Sequence, residues 1–263
     1  MDYELDRATA SSPVSPGVRA LDVNSDWNTP AGTANGGYLL AILLRAALEE
    51  SAKPDPLSVA VTYLATTRPG PATITVTPLR EGRLVSSYTV ALHQGERAIA
   101  HATISLHDAA AAPASDLREP LPGDAVGTPE TGVDPLADWP VGTIPIADRY
   151  TTRHVGTPGW MAGDPSGLPE AAFWIRPADG RPIDSLAAGA IVDAYPPVVA
   201  ELGHIASSTI QLTVHFWRHC STDWALMEVV TSQVIDGFHD EDVHLWDRDL
   251  NLVATSRQIA VLS

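Results

Sequence analysis

The sequence predicts an α+β chain built twice on one plan, each half a long apolar helix set against an antiparallel sheet. Three observations carry this. Each half holds one stretch with helical apolar spacing. Four strand-like stretches follow each helix. A Pro-, Ala- and Gly-rich segment without a sustained period separates the halves. The chain has 263 residues, 44% of them hydrophobic and 18% charged. That suffices for two units of about 100–130 residues, each with its own core.

In the first half, 18–106, the order is strand, helix, four strands. The helix is expected from about residue 36 to 50, with Leu39, Leu40, Ile42, Leu43 and Ala47 on a broad apolar face. "LSVAVTYLATT" then alternates as a strand does and ends at Arg68-Pro69-Gly70. "ATITVTPLREG", "RLVSSYTVALHQGE" and "RAIAHATISLHD" follow, with hairpin signals at Glu81-Gly82 and Gln94-Gly95. The segment 109–156 is read as a connection. The second half opens on the strand and turn "EAAFWIRPADG". "IDSLAAGAIVDAYPPVV" has helical spacing up to Pro196-Pro197, with Asp184 or Ser185 as N-cap. "STIQLTVHFWRH", "WALMEVVTSQVIDGF", "EDVHLWDRD" and "LVATSRQIAVL" complete the repeat. The order of elements repeats more clearly than the residues do. The expected units are 1–108, 109–156 and 157–263.

Composition excludes several classes. A net charge of −16 with a single lysine, Lys53, argues against a nucleic-acid partner. The longest apolar run, "YLLAILLRAAL", is broken by Arg45 and is too short for membrane insertion. The acidic start "MDYELDRATA" has no apolar leader segment, and Cys220 stands alone, so a cytoplasmic chain without an internal disulfide is expected.

Asn35-Gly36-Gly37 precedes the first helix directly. Two readings stand. The pair makes a plain turn, or it lets a ligand oxygen approach the unpaired N–H groups of the helix start.

"NGGYLLAILLRAA", the strand ending "TTRPG", "GRLVSSYTVALHQGERAIAHATISL", "LTVHF" and "LVATSRQ" resemble, in that order, the TesB-like (type II) acyl-CoA thioesterase family. The likeness covers both halves and leaves out the central connection. It implies a double-hotdog fold and hydrolysis of acyl-CoA or another acyl thioester, with no cofactor and no metal. It also implies a site between the halves, built on an Asp, a Thr or Ser, and a Gln. Carried over, those positions fall on Gln211 in place of the Asp, on Thr231 and on Gln258, with Gly36-Gly37 matching the glycine pair.

These residue types fit the chemistry. Thioester hydrolysis needs an aimed water and donors for the developing oxyanion. The start of the first helix, at Asn35, Gly36 and Gly37, would provide the donors, and Thr231 and Gln258 would hold the water. An amide at 211 orients water but takes no proton. His215, four residues on, is the alternative base. Two functions follow: a thioesterase using a directed water, or a non-catalytic acyl-thioester binding protein on the same fold. A hotdog hydratase is less well matched, because no Asp and His pair is spaced along a helix start.

Structural readings compete at several positions. Asp193, at the end of the second helix, is a functional carboxylate or a cap. His215, His219 and Cys220 resemble metal ligands, yet positions 215 and 219 on one strand lie about 13 Å apart, too far for one ion. "HDEDVHLWDRD" lacks the spacing of a calcium loop and reads as a hairpin with Asp249-Leu250-Asn251 at its tip. Trp174, Trp217 and Trp246 are expected in a core or interface. "DPSGLP" is no nucleophile elbow. The expected assembly is the two-unit chain alone or as a homodimer.

Overall fold

A computed structural model describes residues 3–111 and 127–262. A short helix, α1 (Glu4–Ala8), and two strands, β1 (Ser12–Ser15) and β2 (Val18–Val23), lead into the long helix α2 (Gly36–Glu50). Every residue from Gly37 to Leu44 is buried, as are Ala46 and Ala47. A helix enclosed on nearly all sides is what an apolar run flanked by sheet predicts. Each fully buried Leu or Ile contributes roughly 1.5–3 kcal/mol. Arg45 leaves this core sideways. It donates to the Asp6 carbonyl and the Thr9 hydroxyl, which ties α1 to α2.

Strands β3 (Asp55–Tyr63), β4 (Gly70–Arg80), β5 (Val85–Gln94) and β6 (Arg97–His107) follow. The second half contains β7 (Tyr150–His154), the single turn α3 (Gly159–Ala162), β8 (Glu170–Pro177), α4 (Ser185–Ile191), β9 (Ser207–Phe216), β10 (Ala225–Val230), β11 (Val234–Ile235), β12 (Phe238–Trp246) and β13 (Leu252–Leu262). The sheet runs β1-β2-β4-β5-β6-β3-β9-β13-β12-β10-β8-β7, with β11 paired to β12. The halves join where β3 lies antiparallel to β9, Val59 opposite Val214 and Val61 opposite Leu212. On either side of that seam the strands come in matching order: β3 and β9, β6 and β13, β5 and β12, β4 and β10, β2 and β8. One helix wrapped by an antiparallel sheet, present twice, is the double hotdog.

The single strand expected over "WALMEVVTSQVIDGF" is split into β10 and β11, and two further elements differ from the sequence pattern. The stretch read as a connection contributes β7, which pairs with β8, and a bridge between Val133 and His154. Tyr150–His154 is only partly buried until its last residue, so it carries no clean alternation; residues 112–126 of the stretch lie outside the described residues. The second helix is also shorter than its spacing suggests. It ends at Ile191, ahead of Pro196 and Pro197, which cannot donate to a helix and bias the preceding chain out of helical geometry. A 3-10 turn, Val198–Leu202, follows.

The helices α2 and α4 cross closely because small residues line the contact. A Cβ on Gly37 would stand 2.2 Å from the Ala190 carbonyl oxygen, and one on Gly189 would stand 3.0 Å from Leu40. This approach sets the end of α4 against the start of α2.

Candidate active site

Asn35 is the N-cap of α2. Its side-chain oxygen accepts from the Tyr38 N–H at 3.0 Å, the ordinary way to satisfy a helix start. Its amide nitrogen reaches into the second half, donating to the Asp193 carbonyl at 2.7 Å and to Asp193 Oδ2 at 3.2 Å. The Gly37 N–H donates to the same Oδ2 at 2.9 Å. The N–H groups expected to face a ligand therefore face a carboxylate of the chain itself. The glycine pair makes this fit possible. A Cβ on Gly36 would lie 2.7 Å from Asp193 Oδ2 and 3.0 Å from the Tyr63 hydroxyl, while Tyr63 donates to the Gly36 carbonyl at 2.7 Å.

Asp193 keeps part of its surface open, but its carboxyl lies beneath surrounding protein. Burial pushes its pKa up from 3.8 to about 6, against the pull of the Gly37 and Gly36 N–H groups and the Asn35 amide. Among the described residues no ion pair reaches it. Tyr63, enclosed beside it, is raised well above the usual phenol range by burial and by the Asp193 charge.

A second polar group lies on the inner face of the second half's strands. The Thr209 hydroxyl donates to Gln258 Oε1 at 2.8 Å. Gln258 Nε2 donates to Glu241 Oε1 at 2.7 Å, and the Val198 N–H donates to Glu241 Oε2 at 3.0 Å. Glu241 and Gln258 are buried. Burial pushes Glu241 up to about 8; the Val198 N–H opposes the rise and the Asp193 charge adds to it. That charge links the two groups. Beside them a cleft is lined by His154, Trp160, Tyr195, Val198 and Glu201.

The structure does not bring the three carried-over positions together. Gln258 lies inward, as expected. Gln211 is exposed, opposite Thr62 on one side and Ile259 on the other. Thr231 is buried just beyond the end of β10, and its hydroxyl donates to the Asp240 carbonyl at 2.8 Å. His215 is exposed on the outer face, near Trp217. The register explains Gln211. Gln211 pairs with Ile259, yet Thr209 pairs with Ala260, so Ile210 is an extra residue. Such a bulge exchanges the faces of the residues on its two sides. Thr209 therefore points in beside Gln258 while Gln211 points out. Asp193, Thr209 and Glu241 are the residues that spacing alone did not assign. The one sequence signal was an acid inside an apolar helix ahead of two prolines.

The fold and this inter-half arrangement define a hotdog-type protein. Models of the acyl-CoA thioesterase N-terminal domain and C-terminal domain match residues 23–107 and 122–262. The chain belongs to the acyl-CoA thioesterase family. It is similar to a candidate thioesterase II from Thermobifida fusca, with 26% identity, 99% of this chain and 97% of that one covered, and a TM-score of 0.87. It shares its fold with a hot dog protein of unknown function from Alicyclobacillus acidocaldarius, with 22% identity, coverage of 99% and 98%, and a TM-score of 0.89. It is also 24% identical to an uncharacterised protein of Mycobacterium tuberculosis, over 97% of this chain and 95% of that one. No described helix is long and apolar enough to cross a membrane.

Proposed function

We propose that the protein hydrolyses an acyl thioester, acyl-CoA in the first instance, with Asp193 as general base and Thr209 and Gln258 holding the attacking water. The observation that supports this most directly is the Asp193 carboxyl, enclosed at the start of α2 without an ion-pair partner among the described residues, its pKa pushed up to about 6 by burial. A base of that strength is ionised at neutral pH and takes a proton readily in a transition state. Gln258 Oε1 has a lone pair left after accepting from Thr209, so it can accept from a water.

In this reading the water oxygen attacks the thioester carbonyl carbon as Asp193 takes its proton. The tetrahedral intermediate then collapses. The C–S bond breaks, the sulfur takes the proton from the Asp193 carboxyl, and carboxylic acid and thiol leave. Protonation of Asp193 weakens its hold on the Gly37 N–H. That N–H, at the positive end of α2, becomes available to the oxygen gaining charge. Gly37 thus retains the oxyanion role expected for it, and Gly36 and Asn35 seat the base.

The non-catalytic alternative drew its force from an amide at position 211, where a carboxylate was expected. Asp193 supplies a carboxylate elsewhere, so that argument no longer applies. The test is thiol release from a panel of acyl-CoAs, with acyl-CoA binding measured in parallel. Turnover that falls sharply in Asp193→Asn while binding persists is the expected result. Turnover at the wild-type rate in Asp193→Asn would overturn the assignment. Binding without thiol release in the wild type would restore the alternative.

A further inference from the structure

We propose that Glu241 is a positioning residue for Gln258: by accepting the amide N–H it turns the Gln258 carbonyl oxygen toward Thr209 and the reacting side of the site. This rests on the reading of Gln258 as a water-binding group.

A glutamine side chain has an acceptor end and a donor end of nearly the same shape, and only its partners decide which way it faces. Thr209 does not decide, because a hydroxyl both donates and accepts. An ionised carboxylate does, because it only accepts. Glu241 Oε1 receives Gln258 Nε2 at 2.7 Å, and Glu241 Oε2 is held by the Val198 N–H at 3.0 Å. The second bond fixes the carboxylate itself, since the Val198 N–H belongs to the backbone of the 3-10 turn Val198–Leu202. A reversed Gln258 would set its carbonyl oxygen against a carboxylate oxygen in a buried place, where an unmade bond is costly. With Glu241 in place, the oxygen faces Thr209 at 2.8 Å.

The groups around Glu241 make this control depend on pH. Asp193 lies toward it from the end of α4, Gln258 from β13 and Tyr195 from the chain between α4 and the turn. Its neighbours on β12, Asp240 and Asp242, are paired to Arg257 at 2.9 and 3.4 Å, and His239 is engaged with Ser207. Among the described residues no cation pairs with Glu241 itself, so burial and the Asp193 charge lift its proton affinity to about 8. A protonated Glu241 has an O–H and can donate to a reversed amide. An ionised one cannot. The orientation of Gln258 is therefore held more firmly as pH rises through that value.

The test reads Gln258 directly. The side-chain amide resonances of Gln258, assigned by their loss in Gln258→Leu, are followed from pH 6.5 to 9 in the wild type and in Glu241→Gln. The expected result is a shift centred near 8 in the wild type, absent in Glu241→Gln, and moved to lower pH in Asp193→Asn. In the kinetic experiment, run at about pH 9 where Glu241 is ionised, Glu241→Gln should lower kcat by about ten- to a hundredfold with KM nearly unchanged, as expected for a misaimed group. Gln258 resonances that ignore pH throughout this range in the wild type would overturn the proposal without any variant having to fold. So would a folded Glu241→Gln with wild-type kcat and unmoved Gln258 resonances. A wild type that releases no thiol from any acyl-CoA would remove the hydrolase reading alone, because the resonances still decide the role of Glu241.

Discussion

At the start of α2 the Asp193 carboxylate receives the Gly37 N–H at 2.9 Å; at the start of α4 the Asp184 carboxylate receives the Ala187 N–H at the same distance. Both acids lie at the positive end of a buried helix, yet their proton affinities move in opposite directions. For Asp184, burial raises the pKa, but the bond to the Arg181 guanidinium and the Ala187 N–H outweigh it and hold the group below the usual range. Arg181 meets Asp184 at 2.8 Å and Asp6 at 2.9 Å. Asp193 has donors but no ion-pair partner among the described residues, and burial prevails. A helix start makes a place for a carboxylate. The presence or absence of a cation then decides whether that carboxylate is a structural cap or a base poised near neutrality.

Breaking the α2 arrangement should have the largest effect. Asp193→Asn is expected to lower kcat by about 10²–10⁴-fold, the usual worth of a general base, and to remove an acid limb expected near pH 6 in the wild type. A pH–rate profile in both proteins checks this. An acid limb that survives the substitution would mean that some other group is the base.

Breaking the α4 arrangement should cost stability instead. Asp184→Ala removes a cap and one of two carboxylate partners of the buried Arg181. The expected loss is roughly 1–3 kcal/mol in denaturant unfolding, with turnover per folded molecule unchanged.

The comparison also has a pH signature. Asp193 binds its proton more tightly when folded, so its contribution to stability is greatest below its ordinary value of 3.8 and falls as pH rises through about 6. Asp184 has the reverse sign: its contribution is present above 3.8 and is lost as pH falls below that value. Asp193→Asn should therefore unfold at higher denaturant than the wild type at pH 8, by roughly 1–3 kcal/mol, and gain little at pH 4. A gain of equal size at both pH values would show that charge is not the cause. The smallest effect is expected outside the site. Gln211→Ala and His215→Ala, both on the exposed face, should leave kcat within about twofold of wild type, since solvent-facing strand positions rarely matter beyond ±0.5 kcal/mol.

Much of the fold was legible in the chain. The apolar run after Asn35-Gly36-Gly37 is the helix Gly36–Glu50, and the alternating stretches of both halves are strands, because burial on one side of a helix or sheet imposes its period on the residues. Asn35 and Gln258 stood out in the sequence as candidate site residues, and in the fold Asn35 caps α2 while Gln258 lies inward. What sequence could not supply was face and partner. One extra residue at Ile210 turns Thr209 inward and Gln211 outward, and no local pattern marks a bulge in a strand whose polar residues lie on both of its sides. In sequence Asp193 reads as a functional carboxylate or as a cap; only the fold sets Gly37, 156 positions earlier, with its N–H on that carboxylate. Glu241 is one acid among three in "HDEDVH", and only the fold shows that it alone is enclosed with Gln258 while Asp240 and Asp242 meet Arg257. Periodicity is written along the chain because each residue carries its own hydrophobicity. The proton affinity of a carboxyl depends on which distant donors and charges the folded chain sets around it, and that was decided by the tertiary structure.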